Sequence, residues 1–484
     1  MKKNVLLSSI LTIALCLSLV AGSTFALFTD SSFSEVEVKA GDVTMNANLA
    51  NLKLFSAQAD PNGEEFDENG KTYFYAPQAT KFSNGGTATI TEDLITLTNI
   101  TPGDKITFEL EGKNTSNVAI QYRYRIEVIE GFDLMSGCIF TVEGTKYPAM
   151  ASYDSKWANL AVGQNVEQND KIELALELPI SAGNYFQNLD AKIKLTVEAV
   201  QANADMSATD NITVKYITTA DDSTEFLSKL YVDEYLHILL NGDIAGTVTI
   251  DRDLTNKTID ADGHSAHLSF AAGTMENVVV KNLTAQTLNI ATGVNGDITI
   301  ADSKFTSDAK IGSAGYNSFI AGRGDAADNL DVTVDNCIFD GKGVVDYGVY
   351  FMNIHNLTVR NCQIKNTKSW AIQANGTIGT FVISDCLFEN GVGIMKGAVK
   401  GGAGTGAVNG NFTFANNEIV NCVGKEIDLR DANGNTVKDP VTGKTVRVAV
   451  LMDMNPVAGT LTFSNNTVNG VVATPEDMGN LIKK

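Results

Sequence analysis

Aromatic and acidic side chains in the second half of the chain are the residues best suited to binding or cleaving a sugar polymer. Tyr347, Tyr350 and Trp370 could stack on sugar rings, and Asp346 lies beside the first of them. Hydrolysis of a glycosidic bond needs two carboxyl groups facing one groove, and elimination needs Ca²⁺-binding acids with a basic residue. The acids of this region are Asp325, Asp328, Asp331, Asp335, Asp340 and Asp346. They form no Asn-Thr-Asp, Asp-Asp or Gly-His-Gly series, so we expect solvated loop acids and assign no catalytic residue.

The histidines do not form a peptidase or metal pattern. His264 and His267 follow Asp260 and Asp262, which makes an Asp/His metal site conceivable. In a strand, however, residues three apart point to opposite faces. Residues 27–205 contain no histidine, and the chain contains no His-Glu-x-x-His. We therefore expect no metal ligands and no cofactor from this set.

Two short motifs leave an alternative open. The stretch from Asp60 to Gly70 is rich in carboxylate and amide oxygens that could hold Ca²⁺, although its spacing does not match an EF-hand loop. The other interpretation is a solvated hairpin tip. Arg323-Gly324-Asp325 is a triplet that integrins bind in some adhesins, but such a triplet arises easily by chance in a Gly-rich turn.

One phrase recurs through the second half of the chain and predicts the elements that position these residues. A short alternating strand ends on Asn or Asp and is followed by Cys in Val332–Asp340, Leu357–Asn366 and Phe381–Asn390. With looser copies, the residues that end the phrase are Asn282, Asp302, Asn336, Asn361, Asp385, Asn416 and Asn465. Their spacings of 20, 34, 25, 24, 31 and 49 suit one coil per copy with variable loops. We predict a right-handed parallel β-helix with an Asn ladder, and the phrases resemble the pectin-lyase-like superfamily.

Three cysteines belong to this ladder. Cys337, Cys362 and Cys386 occupy the same position in successive copies, where parallel side chains favour a stack of buried thiols over a disulfide. After removal of a leader that contains Cys16, five cysteines remain, an odd number that argues against a complete disulfide framework.

Composition and the first residues predict a secreted, acidic protein. The 484 residues carry a net charge of −21, and a leader with Lys2 and Lys3 and no acids would leave −23. Such a charge disfavours nucleic acid and anionic lipid as partners. An apolar run from Val5 to Val20 leads to Thr24-Phe-Ala26, which predicts cleavage between Ala26 and Leu27. No later segment is apolar for the length of a membrane span, so we expect no membrane association after processing.

The stretch after the leader predicts antiparallel strands. From Val118 to Val128 every even position is apolar, and similar alternation recurs around Phe108, Leu176 and Leu195. We predict an antiparallel sandwich over this half of the chain.

Several motifs of the same stretch resemble the camelysin/TasA type of secreted protein. They are Ala26-Leu-Phe-Thr-Asp30, Lys39-Ala-Gly-Asp42, Thr101-Pro-Gly-Asp104, Lys113-Asn-Thr-Ser-Asn117 and Ala182-Gly-Asn-Tyr-Phe-Gln187. The resemblance covers residues 1–205 and implies a jelly roll, a dedicated signal peptidase and extracellular biofilm fibres.

The sequence thus predicts an all-β chain with four segments. Residues 1–26 are a signal peptide and 27–205 a jelly-roll-like sandwich. Residues 206–218 form a linker and leading strand, and 219–484 a parallel β-helix with short capping helices, the first capped by Thr219.

These features predict a structural or adhesive protein of a bacterial surface or extracellular matrix. The family implies fibres in which an N-terminal strand of one subunit completes the sheet of the next, with Phe28, Val36 and Val38 as apolar anchors. Self-association and extracellular polysaccharide are the partners expected. The alternative is a carbohydrate-active enzyme, a lyase or glycoside hydrolase, or a glycan-binding module on the β-helix, recognisable by acids and aromatics meeting in one groove.

Overall fold

The chain is all-β and divides into two compact units, Met1–Ile217 and Thr218–Lys484. The computed structural model describes residues 30–31, 43–58, 64–68, 71–166, 172–207, 210–311, 316–323, 329–397, 407–408, 410–429, 436–457 and 459–483. The boundary between the units lies within a strand, Thr213–Ala220.

The first unit contains fifteen strands among its described residues, the last of which continues into the second unit. They are β1 (Asp30–Ser31), β2 (Met45–Gln58), β3 (Glu64–Glu68), β4 (Lys71–Gln78), β5 (Thr87–Thr91), β6 (Leu94–Thr98), β7 (Asp104–Asn114), β8 (Ile120–Glu130), β9 (Ile139–Val142), β10 (Thr145–Pro148), β11 (Met150–Asp154), β12 (Ala158–Leu160), β13 (Ile172–Glu177), β14 (Ala191–Gln201) and β15 (Thr213–Ala220). A short helix, α1 (Phe132–Ser136), follows β8, and two 3₁₀ turns (Ile180–Ala182 and Asn184–Phe186) precede β14.

Two antiparallel sheets make up the described part of this unit. In the first sheet β14 lies between β6 and β8, and β8 pairs on its other side with β11 and β12. The second sheet has the order β10-β9-β13-β7-β2-β4-β3. The alternation predicted from the sequence is confirmed in β8, where the even-numbered residues from Ile120 to Val128 are buried. Each such strand therefore has one face in a hydrophobic core and one face towards solvent.

The second unit contains three rows of parallel strands. Its described strands are β16 (Tyr235–Leu240), β17 (Thr247–Ile250), β18 (Leu254–Thr255), β19 (Thr258–Asp260), β20 (His267–Phe270), β21 (Gly273–Lys281), β22 (Thr284–Ala285), β23 (Leu288–Ile290), β24 (Val294–Ala301), β25 (Lys304–Thr306), β26 (Ser318–Arg323), β27 (Leu330–Asp335), β28 (Ile338–Asp340), β29 (Tyr347–Arg360), β30 (Gln363–Lys365), β31 (Trp370–Ser384), β32 (Leu387–Glu389), β33 (Gly393–Gly397), β34 (Ala407–Val408), β35 (Phe412–Ala415), β36 (Glu418–Val420), β37 (Lys425–Asp428), β38 (Arg447–Val450), β39 (Met452–Val457), β40 (Leu461–Ser464), β41 (Thr467–Val468), β42 (Val471–Val472) and β43 (Gly479–Lys483).

Successive coils add one strand to each row in a fixed register. The first row runs through β17, β20, β23, β26, the starts of β29 and β31, β33, β39 and β43. The second row runs through β16, β19, β21, β24, β27, the ends of β29 and β31, β35 and β40. The third row runs through β22, β25, β28, β30, β32, β36 and β41. We call this arrangement the parallel stack.

The parallel stack encloses one hydrophobic core. Phenylalanines from all three rows are fully buried, including Phe351 in the first, Phe381 in the second and Phe388 in the third. Neighbouring parallel strands lie about 4.8 Å apart, so equivalent apolar residues of successive coils touch.

Two helices flank the parallel stack in sequence. Helix α2 (Ser223–Leu230) buries Phe226 and Leu230, and Asp222 caps it by accepting from the N–H groups of Thr224 and Glu225. The predicted cap, Thr219, is wrong because β15 continues to Ala220. Helix α3 (Pro475–Met478) follows Thr474, whose N–H and hydroxyl donate to Asp477.

Candidate functional site

The predicted glycan-binding residues lie at the starts of β29 and β31, in the middle of the first row, around Tyr350. The rings of Tyr316 and Tyr350 stack with centroids 3.9 Å apart, and the Tyr347 ring lies 5.2 Å from that of Tyr350. Asn375 donates to the Tyr350 hydroxyl over 3.0 Å. The structure thus gathers two of the predicted residues, Tyr347 and Tyr350, into one cluster.

Little of this cluster is open to a ligand. Tyr350 and Trp370 are each only 3% exposed. The indole of Trp370 covers Gly393, where an added Cβ would come within 2.3 Å of the ring. Burial raises the pKa of Tyr350, and the neighbouring Tyr316 hydroxyl raises it further. These rings pack against the protein instead of presenting flat faces to a sugar.

Asp346 is held in a local hydrogen-bond network. Its carboxylate accepts from the Asn317 side chain over 3.1 Å, and its backbone carbonyl accepts from the Ser369 N–H. The other described acids of this region bond elsewhere, Asp331 to His355 and Asp335 to Arg360. Asp340 pairs with Lys342, so the described acids of the predicted set each bond to a different group, and Asp325 and Asp328 lie outside the described residues.

Two residues of this cluster were not predicted. Tyr316 completes the aromatic stack from a neighbouring coil, and the side-chain oxygen of Asn375 is buried without a hydrogen-bond partner. In the sequence, Asn375 belongs to Gln373-Ala-Asn375 and does not end a coil phrase. This difference from the other Asn residues is the signal that could have identified it.

The seven residues that end the coil phrase occupy corresponding positions of the second row, directly after its strands. All have left-handed backbone angles, with φ between 50° and 58°, a conformation that Asn and Asp tolerate better than most residues. Their side chains bond along the stack in the pairs Asn336–Asp302, Asn416–Asp385 and Asn465–Asn416. Asn282 and Asn361 bond instead to Asp260 and Asp335, the last strand residues of the preceding coil. We call the seven residues the corner ladder.

A second, fully buried column lies one residue further along each coil. It consists of Leu283, Ser303, Cys337, Cys362, Cys386, Asn417 and Asn466. Ser303 Oγ accepts from the Leu283 N–H over 3.0 Å, and Asn417 Oδ1 accepts from the Cys386 N–H over 3.0 Å. Each thiol accepts from the backbone N–H of the preceding coil in the same way. The hydrogen bond to Cys362 and burial raise the pKa of the Cys337 and Cys386 thiols, so both stay protonated at neutral pH.

Sequence reasoning found the cysteines of this column but not its Ser and Asn members. The same holds for a third set, Asn366, Asn390, Asn421 and Asn469, which have φ between 50° and 56° at the ends of third-row strands. Their position in the sequence could have identified them, because each directly follows a strand of two or three residues such as Gln363–Lys365.

A buried charged cluster lies at the first coils of the parallel stack. His237, only 1% exposed, contacts Asp260 with 3.2 Å between Nε2 and Oδ2, and Lys281 Nζ lies 3.2 Å from the same oxygen. Burial by itself would raise the pKa of Asp260. The hydrogen bond from His237, the charge of Lys281 and the amide of Asn282 outweigh it and hold the pKa well below its usual range.

The two histidines considered for a metal site, His264 and His267, have different partners. His264 lies 3.7 Å from Asp243, and His267 contacts Thr287, so the two histidines do not converge. Over the part of the chain that the structure describes, no group of three or more His, Cys, Asp or Glu could hold a metal ion. Most of the acidic stretch from Asp60 to Gly70 lies outside the described residues.

The edge of β14 is the site relevant to strand addition. β6 pairs with β14 only from Ala191 to Lys194, and β1 pairs antiparallel with the same strand further along, Asp30 opposite Ala199 and Ser31 opposite Glu198. The predicted anchors Phe28, Val36 and Val38 lie outside the described residues, as do the predicted cleavage residues Ala26 and Leu27.

None of the helices described here is long and apolar enough to cross a membrane. No family model matches the chain, and no curated protein matches it significantly.

Among solved structures, the chain shows low likeness to GH87 alpha-1,3-glucanases. The catalytic unit of the thermostable enzyme from Streptomyces thermodiastaticus strain HF3-3 is 11% identical, with a TM-score of 0.18, covering 88% of this chain and 97% of that one. A GH87 alpha-1,3-glucanase catalytic domain in complex with nigerose gives 10% identity, a TM-score of 0.14, and coverage of 83% and 96%. The complex with tetrasaccharides gives 12%, 0.13, and coverage of 90% and 98%. Likenesses this low identify neither a fold family nor an activity.

Proposed function

We propose that the protein is a secreted structural or adhesive component of a bacterial surface or extracellular matrix, assembled by addition of its N-terminal strand. The observation that carries the proposal is the pairing of Asp30–Ser31 with the edge of β14. Residues directly after the predicted leader thus add to a sheet edge that β6 leaves open beyond Lys194.

Strand addition needs an acceptor edge and a donor segment. We assign the acceptor to β14 and the donor to residues 27–43. In the acceptor, the Leu195 N–H of β14 donates to the Asp93 carbonyl, and further along the strand β1 pairs with Glu198 and Ala199. Unpaired edges of this kind recruit strands from other chains unless they are covered. A donor from residues 27–43 of a second copy would replace β1 and join the two copies by main-chain hydrogen bonds.

The proposed architecture is a jelly-roll-like sandwich in the first unit and a right-handed parallel β-helix in the second. The parallel registers of the three rows and the common core support a β-helix. Such a solenoid holds loops of variable length at the coil corners. The chain would thereby present these loops, with polysaccharide as a second partner, while the first unit forms the joint.

Among the described acids of the predicted set, none bonds to the same group as the Asp346 carboxylate, which favours scaffolding over catalysis. Over the described residues, the hydrogen bonds of Asp331, Asp335 and Asp340 direct them to His355, Arg360 and Lys342. A hydrolase of either stereochemistry requires two carboxyl groups roughly 5–10 Å apart across a groove.

The alternative function is a carbohydrate-active enzyme or glycan-binding module centred on the Tyr316–Tyr347–Tyr350 cluster. The unpaired, buried side-chain oxygen of Asn375 favours it, because buried polar atoms usually have a partner. A sugar hydroxyl that reached this oxygen would supply one.

Electron microscopy of the processed protein tests the proposal. We expect filaments from the protein beginning at Leu27 and none from a version lacking residues 27–43. A version with residues 27–43 in scrambled order, which keeps composition and length, is the matched control and should also fail to polymerise. Dispersed particles from the intact segment would contradict fibre formation.

A release assay for reducing sugars on extracellular polysaccharide distinguishes the alternative. Scaffolding predicts no release, and Asp346→Asn should leave the result unchanged. Release that Asp346→Asn abolishes would overturn the structural role in favour of the enzyme.

A further inference from the structure

Three cysteines on successive coils form a continuous row of sulfur atoms inside the parallel stack. Cys337, Cys362 and Cys386 are free thiols, 0%, 2% and 2% exposed, and the Cys362 sulfur is in hydrogen-bond contact with both of its neighbours. We call these three residues the thiol row. Sulfur is a soft ligand, so the thiol row suits soft metal ions, whereas Mg²⁺ and Ca²⁺ prefer oxygen.

Strands on both sides fix the spacing of the thiol row. The ends of β27, β29 and β31 are in register before the corners, and β28, β30 and β32 are in register after the cysteines. Neighbouring parallel strands are about 4.8 Å apart, so side chains that point the same way repeat at that distance. A bond between thiolate sulfur and a d¹⁰ ion such as Zn²⁺ is about 2.3 Å long, and two such bonds in a straight line span about 4.6 Å. One ion therefore fits between two neighbouring sulfurs.

The linear arrangement also selects the number of ligands. Over the residues that the structure describes, no group of three or more His, Cys, Asp or Glu could surround an ion, which disfavours the tetrahedral sites of Zn²⁺. Ser303 and Asn417 continue the buried column on either side with oxygen and nitrogen atoms, so the soft ligands end at Cys337 and Cys386. The row suits ions that take two sulfur ligands in line.

The thiol protons can leave without stranding the groups that they contact. The S–H groups of Cys337, Cys362 and Cys386 donate to the carbonyls two residues before them, over 3.3, 3.0 and 3.1 Å. Each of these carbonyls also accepts from the backbone N–H of the corner residue in the preceding coil. The sulfurs themselves accept backbone N–H groups, a bond that strengthens when the thiol becomes a thiolate.

We propose that the thiol row binds one soft d¹⁰ metal ion of the Cu⁺, Ag⁺ and Hg²⁺ class, in line between the sulfurs of Cys362 and one neighbour. Two S–H bonds break, two metal–sulfur bonds form, and both protons leave to solvent, with no change in oxidation state. With Hg²⁺ the unit is neutral, which suits a hydrophobic core. With Cu⁺ or Ag⁺ it carries one negative charge, to which the third thiol and the backbone N–H groups donate.

This binding goes beyond the proposed matrix function, and neither proposal requires the other. The thiol row lies in the second unit, whereas the proposed joint lies in the first. Since the sulfurs are at most 2% exposed, we expect slow uptake that accelerates in urea concentrations below the unfolding transition, where coils open locally.

Anaerobic titration of the full mature chain with Cu⁺, in competition with a colorimetric Cu⁺ chelator, tests the proposal. We expect one Cu⁺ per chain, two protons released per ion, and X-ray absorption typical of two sulfur ligands in line. Cys362→Ser removes the sulfur common to both possible pairs. It should weaken Cu⁺ binding by more than the roughly 10–100-fold that loss of an outer-shell partner costs.

The flanking cysteines supply a pattern that uptake by single thiols would not give. Cys337→Ser and Cys386→Ser each leave one pair intact and should retain affinity within about tenfold, while the double variant should lose binding as Cys362→Ser does. Cys138→Ser and Cys422→Ser make the same change outside the thiol row and should leave affinity unchanged. Serine keeps an acceptor for the backbone N–H, and circular dichroism shows whether each variant remains folded.

Four results would overturn the proposal. They are absence of Cu⁺ binding by the folded chain even after incubation in mild urea, binding that Cys362→Ser leaves intact, binding that Cys422→Ser abolishes, and loss of binding in either flanking variant alone. Zn²⁺ that competes with Cu⁺ for the row would likewise contradict a site with two ligands in line.

Discussion

At the scale of single residues, the buried column of the parallel stack shows one task performed by three chemistries. Ser303, Cys362 and Asn417 differ in size and polarity, yet each accepts a hydrogen bond from the backbone of the preceding coil. In the preceding coil, the residue whose N–H donates directly follows a left-handed corner residue, as Leu283 follows Asn282 and Cys386 follows Asp385. A buried N–H without a partner is costly, and the six column positions after Leu283 each supply an acceptor.

Replacing one thiol tests the role of the acceptor. Cys362→Ala should destabilise the second unit by about 1–3 kcal/mol more than Cys362→Ser, because only Ser can accept from the Cys337 N–H. The two substituents have nearly equal volumes, so the cavity is matched. Urea unfolding followed by Trp370 fluorescence measures the difference, and equal stabilities would show that the column acts through packing alone.

The buried pair of His237 and Asp260 predicts a particular acid sensitivity. The folded-state pKa of Asp260 is depressed, so its carboxylate contributes stability that is present above the unfolded pKa of about 3.9 and is lost as pH falls through the folded value. At pH 6, the Asp260→Asn protein should therefore unfold at a lower urea concentration than the unmodified protein. The difference between the two midpoints should narrow below pH 4. A constant difference between pH 6 and pH 2 would exclude this linkage.

At the scale of elements, the sequence predicted which strands and helices exist better than it predicted the residues at which they begin and end. The strand Ile120–Glu130 and the repeated coil strands follow from alternation, since burial of one face selects apolar residues at every second position. The start of α2 was misplaced because Thr219 and Asp222 are both good capping residues, and only the pairing partners of β15 decide where the strand stops. Similarly, Tyr316 could not be assigned to Tyr350 because their contact depends on which coils are adjacent.

The corrected cap of α2 has a measurable consequence. Asp222→Ala should cost about 1 kcal/mol, because the N–H groups of Thr224 and Glu225 lose their acceptor. Asp222→Ser should retain most of that stability, and Thr219→Ala is the control at the position predicted from sequence. If Thr219→Ala cost more than Asp222→Ala in urea unfolding of the second unit, the helix would begin where the sequence suggested.

At the scale of the whole molecule, the chain contains two separate sources of stability. The described core of the first unit includes Phe108 and Phe140, and that of the second includes Phe339 and Phe388. One of the two tryptophans lies in each unit, Trp157 in the first and Trp370 in the second. Each unit therefore carries its own fluorescence reporter.

We predict that core truncations act on one reporter only. In a chain with Trp157→Phe, Phe388→Ala should lower the free energy of unfolding seen by Trp370 by about 3–5 kcal/mol, while Phe108→Ala should leave it unchanged. In a chain with Trp370→Phe, Phe108→Ala should lower the free energy of unfolding seen by Trp157, and Phe388→Ala should leave it unchanged. Coincident shifts at both reporters would mean that the units unfold as one cooperative body.

The corner ladder also has a consequence for how this chain can change over time. Each coil has its own left-handed corner residue, which fixes where the next strand begins. Added residues in one coil therefore do not shift the register of the strands that follow. The coils already differ widely in length, with a spacing of 20 from Asn282 to Asp302 and of 49 from Asn416 to Asn465, while the flanking strands keep the same partners. Since lengthening a loop costs free energy only slowly, foreign peptides grafted in these coils should be tolerated. The repeating half of the molecule is thus a frame that accepts new surface segments one coil at a time.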